Sequence, residues 1–310
     1  MIKLDKIKLV THIDYIQIDN ENAFEKIIRN NNIVQLKYHQ QIPSLYIELD
    51  FLDNELVIEF SGKILGKDYH KLISKDTIKQ CFENINSIGI CTLNVECILN
   101  DSVVVKCDVT YDVVCEDIPQ LTAFVSGNIC SYRNYVCRQM RNGNFVVEKN
   151  VTTKQYKKRL TIYNKEKEMK KNENRRFVRE YDVDESVFKS KCRFEMNLNS
   201  VAQIKSALGI ESNDLQSVLG AERNPIAEFL GEVIADGAAS VGGELSPKDA
   251  YMIPLVLKDC NYDLAQVEAK MRSIYSKGTN ISKIMKPYRE ALFSIQHPTI
   301  SKEKIIQMLT

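Results

Sequence analysis

The sequence predicts an α+β fold: a central antiparallel sheet with helices on one face, followed by a helical C-terminal domain. Three observations predict it. Short alternating apolar segments recur through the first ~200 residues, at the period of two that strands require. One strong helical pattern interrupts them. From Ser200 onward the pattern changes to the helical period and stays there.

The expected strands are 7–18, 33–39, 45–51, 55–61, 92–98, 102–114, 144–149, 158–164 and 189–199. The helix is "SKDTIKQCFENI", with Ser74 or Asp76 as candidate caps and Ile78, Cys81, Phe82 and Ile85 as its apolar stripe. A weaker helical pattern covers 119–140. After Asn199 come "SVAQIKSALGI", "NDLQSVLG", "NPIAEFLGEVIADGAASV", "SPKDAYMIPLVLKDC", "YDLAQVEAKMRSIYSKG", "SKIMKPYREALFSI" and "SKEKIIQML". Ser246-Pro247 and Ser301 read as helix starts and Gly278 as a stop. The expected domains are 1–199 and 200–310. "DGAASVGGE" is expected to be a loop within the second.

Composition narrows the function classes. Among 310 residues, 44% are hydrophobic and 27% charged, and no apolar run approaches the ~20 residues of a membrane span. The N-terminal segment alternates and carries charge, so it reads as a strand rather than a signal peptide. A soluble, cytoplasmic protein is expected. The nine cysteines include no C-x-x-C pair and read as free thiols in a reducing compartment; the four histidines are scattered, which disfavours a zinc site. Net charge is +1, yet residues 151–180 hold eleven Lys or Arg against four Glu.

Alternation gives four strands a charged face. Glu55 and Glu59 oppose Leu56, Ile58 and Phe60. Lys106, Asp108 and Asp112 oppose Cys107, Val109 and Tyr111. Arg159, Thr161, Tyr163 and Lys165 oppose Leu160 and Ile162. Lys191, Arg193, Glu195 and Asn197 oppose Cys192, Phe194, Met196 and Leu198. A solvated sheet face with cross-strand ion pairs accounts for each strand taken alone. Taken together, the single carboxylates at Glu59, Asp108, Asp112 and Glu195 suit a hard divalent cation, Mg²⁺ or Mn²⁺. Tyr163 is a candidate nucleophile toward a phosphodiester, with Lys165 to stabilise the charge that develops. The basic segment that follows suits a DNA backbone.

"LVIEFSG", then a helix, "VKCDVTYDV", "KRLTIYNKEKEM" and "KCRFEMNL" occur in that order. In these pieces the chain resembles the rolling-circle replication initiators of filamentous phages (gene II protein) and of small staphylococcal plasmids. The resemblance covers roughly residues 30–200, and the R-x-x-I-Y-N-K-x-x-E pattern followed by R-F-E is its most specific part. It implies a Rep-like nickase domain that cuts one strand at a replication origin and stays joined to the 5′ end through Tyr163. Lys165 would assist. Glu59 and Asp108 would be metal ligands, with Glu195 or Asp112 as a third, and Glu168 would orient Lys165 or the DNA.

The histidine pair of many related (HUH) nickases is absent, so carboxylates would replace it. Lys157, Lys158, Arg159, Lys167, Arg175, Arg176 and Tyr156 are the expected DNA contacts. Tyr132, Tyr135, Arg138 and Arg141 could equally be packing or solvated residues. Origin DNA is the expected partner, and no membrane is. The C-terminal domain would bind DNA, form a homodimer or recruit a host helicase. Three alternatives stay open: a non-catalytic origin-binding protein, a nuclease in which water attacks, and a mobilisation relaxase.

Overall fold

A computed structural model of the chain describes residues 2–115, 117–129, 134–140, 144–151, 158–235, 247–276, 278–296 and 300–310. The chain forms two compact units. One comprises Met1–Thr122, Ser131–Phe229 and Leu309–Thr310; the other comprises Ala123–Cys130 and Leu230–Met308.

The first unit is built on a ten-stranded antiparallel sheet. Its strands are β1 (Leu4–His12), β3 (Glu25–Arg29), β4 (Asn32–Gln40), β5 (Leu45–Asp50), β6 (Glu55–Ser61), β8 (Val103–Val114), β9 (Tyr135–Gln139), β10 (Phe145–Lys149), β11 (Arg159–Asn164) and β12 (Lys191–Leu198). Their order is β3-β4-β5-β6-β1-β8-β12-β11-β10-β9. Two short strands, β2 (Ile16–Ile18) and β7 (Cys91–Leu93), pair separately. Strand β3, at one end of this order, lacks alternation and is mostly exposed, so no period marks it. Its hairpin to β4 turns at Asn30 and Asn31, with φ of 50° and 62°. Two consecutive left-handed residues make the turn that suits the strand twist, and asparagine tolerates that backbone best after glycine.

The alternating apolar residues fill one face of the sheet. Leu56, Ile58, Phe60, Ile7, Leu9, Cys107, Val109, Phe194, Met196 and Leu198 are buried. Helix α1 (Ile78–Asn86) buries Ile78, Cys81, Phe82 and Ile85, the expected stripe. Phe82 meets Phe60 edge-on, with ring centroids 5.7 Å apart.

Three expected segments differ. The strand expected over 7–18 breaks after His12, where a 3-10 turn (Ile13–Tyr15) separates β1 from β2, and the two join different sheets. The strand expected over 92–98 ends at Leu93, because the Asn94 side chain accepts the Cys97 N–H and caps helix α2 (Val95–Asp101). The helix expected over 119–140 stops at Gly127, as α3 (Ile118–Gly127). Residues 135–139 instead pair with β10, where the sheet supplies backbone partners that an isolated helix turn lacks.

Helices are not confined to one face. A 3-10 segment (Gly62–Lys71) and helices α4 (Lys165–Met169) and α5 (Asn172–Glu180) contribute to a second apolar cluster. It contains Tyr69, Leu72, Met169, Phe177, Val183 and Phe188. Tyr69 bonds to Arg193, whose side chain lies on the polar face, so this cluster covers one end of that face.

Every described element after Asn199 is helical. Helices α6 (Val201–Leu208) and α7 (Leu215–Leu219) belong to the sheet unit, so its compact core extends past the expected boundary at residue 199. Ser200 and Asp214 cap them. Helix α8 (Pro225–Val233) follows. Helices α9 (Pro247–Asp259), α10 (Leu264–Ile274) and α11 (Ile281–Gln296) share a core of Leu257, Val267, Met271, Met285 and Ala291. Pro247 opens α9 as expected, and α12 (Lys302–Leu309) starts with Ser301 bonding the Lys304 N–H. The loop expected at 236–244 lies outside the described residues. No described helix is long and apolar enough to cross a membrane. The eight described cysteines are free thiols.

Replacing Phe82 with Ala empties a site at the α1–sheet contact. The expected loss in urea unfolding is about 3–5 kcal/mol. A loss under 1 kcal/mol would show that α1 does not anchor the apolar face.

Candidate active site

Strand register assembles the polar face. On β11, β12 and β8, Tyr163 lies opposite Arg193 and Arg193 opposite Asp112; Thr161 opposite Glu195 and Glu195 opposite Thr110; Arg159 opposite Asn197 and Asn197 opposite Asp108. On β1, Lys6 lies opposite Asp108 and Lys8 opposite Lys106, and on β6 Glu59 lies opposite Lys8. Directly opposed residues share a face, so all four expected acids stand on Tyr163's face. Tyr111 pairs with Phe194 on the other, apolar face, as expected.

Tyr163 is buried, and its hydroxyl donates to Glu195 Oε2 at 3.0 Å. Burial, with the Glu195 carboxylate beside it, holds the phenol well above its usual range; Arg193 opposes this. Burial also lifts Glu195 to about 7, with Asp5 and Asp108 adding repulsion. A phenol donating to a carboxylate of near-neutral affinity is a poised proton donor–acceptor pair.

Beside this pair lies a buried ionic network. Arg193 is fully buried and grips Asp112 with two bonds of 2.6 and 2.8 Å. It also donates to Asp5 at 2.7 Å and to Tyr69 Oη at 3.0 Å. Tyr69 in turn donates to Asp5 at 2.9 Å. Lys165 was expected to continue the strand, but β11 ends at Asn164, whose side chain caps α4. Lys165 is therefore helical. Its buried ammonium still reaches the network, donating to Tyr69 Oη at 2.8 Å and Glu168 Oε2 at 2.7 Å. It stands 5.7 Å from the Tyr163 ring centroid. Burial and the Arg193 charge pull its pKa down. Glu168 holds Lys165, as expected, and is itself held by Asn174. Asn174 accepts from Lys63 at 2.8 Å.

The four expected metal ligands differ in what already binds them. Asp112 is saturated by Arg193. Glu59 lies 2.5 Å from Lys6 and 3.9 Å from both Lys8 and Lys106. The Asp108 carboxylate accepts from Asn197 Nδ2 at 2.8 Å, and burial raises its pKa. Glu195 accepts from Tyr163. Among the described residues, neither Asp108 nor Glu195 is ion-paired, and no three potential ligands converge at metal-binding spacing.

Of the expected DNA contacts, Lys167, Arg175 and Arg176 are exposed. Arg176 pairs with Glu180 at 2.6 Å. Lys158 and Arg159 are half-buried, and Arg159 Nε is enclosed without an acceptor among the described residues. Lys157 and Tyr156 lie outside the described residues, as do Tyr132 and Arg141. Tyr135 packs edge-on against Phe229, and Arg138 pairs with Glu148 at 3.2 Å.

Sequence reasoning missed Asp5 and Tyr69. Asp5 sits at a register irregularity between Leu4 and Lys6, which breaks the alternation that would have placed it. Tyr69 rides on a 3-10 segment with no strand period.

Glu168→Gln removes the carboxylate that neutralises a buried lysine, so it should destabilise by about 3 kcal/mol near neutral pH. Burial raises the Glu168 pKa, but Lys165 and Asn174 outweigh it and hold it below 4.5. Its stabilisation is therefore full above pH 4.5 and lost as pH falls through the folded-state value. Unfolding midpoints of wild type and variant should converge on acidification. A constant gap from pH 7 to 3 would exclude this pair as the cause.

No protein-family model matches the chain, and no curated protein does. Among solved structures, Methanococcus jannaschii TBP superposes over 67% of this chain and 94% of its own, with 12% identity and a TM-score of 0.27. At that score the likeness carries no argument about fold or function.

Proposed function

We propose that the chain is a metal-dependent DNA nickase and strand-transferase that starts rolling-circle replication at an origin. The observation that carries this reading is the Tyr163–Glu195 hydrogen bond on a face bordered by cations. It adds a proton acceptor to the ordered motif resemblance.

The chemistry follows from these residues. The Tyr163 oxygen attacks the phosphorus while its proton passes to Glu195. The P–O3′ bond breaks, and the departing 3′ oxygen takes a proton from solvent. The phosphodiester is conserved as 5′-phosphotyrosine. On closure a 3′-OH attacks that phosphotyrosine and gives its proton to solvent, the P–O(Tyr) bond breaks, and Glu195 returns the proton to the phenol. Arg193, opposite Tyr163 in register, favours the developing phenolate. Lys165 lies near the ring for the same purpose.

Of the four expected metal ligands, two have no ion pair among the described residues. Asp108 and Glu195 are hard oxygen donors, buried and without a paired cation among the described residues, and each carries a raised pKa. Asp108, with the Glu195 oxygen that does not bond Tyr163, would hold Mg²⁺ or Mn²⁺, which would supply charge neutralisation at the phosphoryl oxygens. Glu59 and Asp112 are already neutralised by side chains. Exposed Lys167 and Arg175 suit the DNA backbone. Origin DNA is the substrate in this reading. The helical second unit suits origin binding, dimerisation or helicase recruitment.

The test is covalent capture with Mn²⁺ and single-stranded or supercoiled DNA carrying the replicon's own origin. Wild type should give a denaturation-resistant adduct, and Tyr163→Phe none. Glu195→Gln should slow adduct formation by about 10²–10⁴-fold. Nicking that persists in Tyr163→Phe with a free 5′ phosphate would instead identify water as the nucleophile. Specific binding without nicking would identify an origin-binding protein.

A further inference from the structure

Three lysines on the open part of the sheet face have an arrangement that stability alone disfavours. Lys8 and Lys106 lie directly opposite each other on β1 and β8. Like charges so placed repel. Lys6 projects from the same face two residues before Lys8. All three ammonium groups share Glu59, and Asp108 stands opposite Lys6, so the lysines outnumber the carboxylates beside them. Their side chains are about one-third exposed. The neighbouring lysine on this face, Lys37, is neutralised one-to-one by Glu48 at 3.2 Å.

Two further observations point to a strand of nucleic acid. The cluster adjoins the candidate active site, because Lys6 is opposite Asp108 and Lys106 is two residues from it. From β11 to β1 is three strand spacings, about 15 Å, a reach of few nucleotides. On the far side Tyr46, opposite Glu59 on β5, presents a half-buried ring to the same face. Cations interleaved with an aromatic ring suit an unpaired, stacked strand better than a duplex.

We propose that Lys6, Lys8 and Lys106 bind backbone phosphates of single-stranded DNA flanking the cleaved bond, with Tyr46 as a stacking platform. Glu59 then serves as the shared counter-charge of this cluster rather than as a metal ligand. The proposal rests on the nickase reading for its substrate.

The experiment measures anisotropy of a labelled oligo-dT of about 16 nucleotides, without metal, across a salt series. The proteins are wild type, a Lys6→Gln/Lys8→Gln/Lys106→Gln variant, Lys37→Gln and Tyr46→Leu. The triple variant should melt somewhat lower than wild type, because Glu59 loses its cations, so binding is compared at a temperature where circular dichroism shows both folded. It should bind on the order of tenfold more weakly at low salt, with the slope of log affinity against log salt reduced by about 2. Lys37→Gln should change little, and Tyr46→Leu should weaken binding without changing the slope.

An unchanged slope in the triple variant overturns the proposal. So does a loss in Lys37→Gln equal to that of the triple variant, which would mean diffuse attraction. Adduct formation is scored separately. Weakened binding in the triple variant, alongside a wild type that forms no adduct on origin DNA, would keep the lysine site and remove the nickase reading.

Discussion

The buried guanidinium of Arg193 is the interaction on which the rest of the sheet unit depends. A cation without solvent is tolerable only when every donor has an acceptor and its charge is met nearby. Asp112 supplies a two-point grip from the neighbouring strand, Asp5 a second charge from across the sheet, and Tyr69 a hydroxyl from outside it. One side chain thereby joins β1, β8, β12 and the Gly62–Lys71 segment. The same segment carries the apolar cluster around Phe177 and Phe188, so packing and charge hold each other in place.

That network shapes the site next to it. Lys165 and Arg193 bring two positive charges into a buried volume, balanced by Asp5, Asp112 and Glu168. Asp5 and Asp112 are therefore occupied. Glu195, two residues from Arg193 on β12, and Asp108, four residues from Asp112 on β8, are buried without such balance, and their carboxyls bind protons more tightly than usual. Acids of one apparent class thus divide into two kinds. Some hold the scaffold together; others are left able to take a proton or a cation. Glu59, met by three lysines at the open end of the face, belongs to the first kind.

Much of this was legible in one dimension because a strand's period is rigid. Glu55–Ser61, Arg159–Asn164 and Lys191–Leu198 fall where alternation puts them, and Tyr163, Glu195, Asp108 and Glu59 share the face that alternation assigns. The α1 stripe was legible for the equivalent reason at the helical period. Elements whose patterns are ambiguous were not. Val95, Ile98 and Leu99 fit a helix as well as Leu93 and Val95 fit a strand, and the Asn94 cap decides between them. Tyr135–Gln139 is a strand because β10, the next strand along the chain, offers it a ladder.

The sequence by itself determined the α+β class, the strands at the centre of the sheet, the helical character after Ser200 and which side chains within each strand share its polar side. These follow from periodicity and capping, which are local. Only the tertiary structure decided that Tyr163 meets Glu195, that Asp112 is committed to Arg193, and that Tyr69 and Asp5 join the network. It also decided that Lys165 leaves the strand and yet returns to the site. Those outcomes depend on register, on an irregularity in β1 and on a non-strand segment folding over the face. They are set by which strands become neighbours, and a period of two carries no information about that.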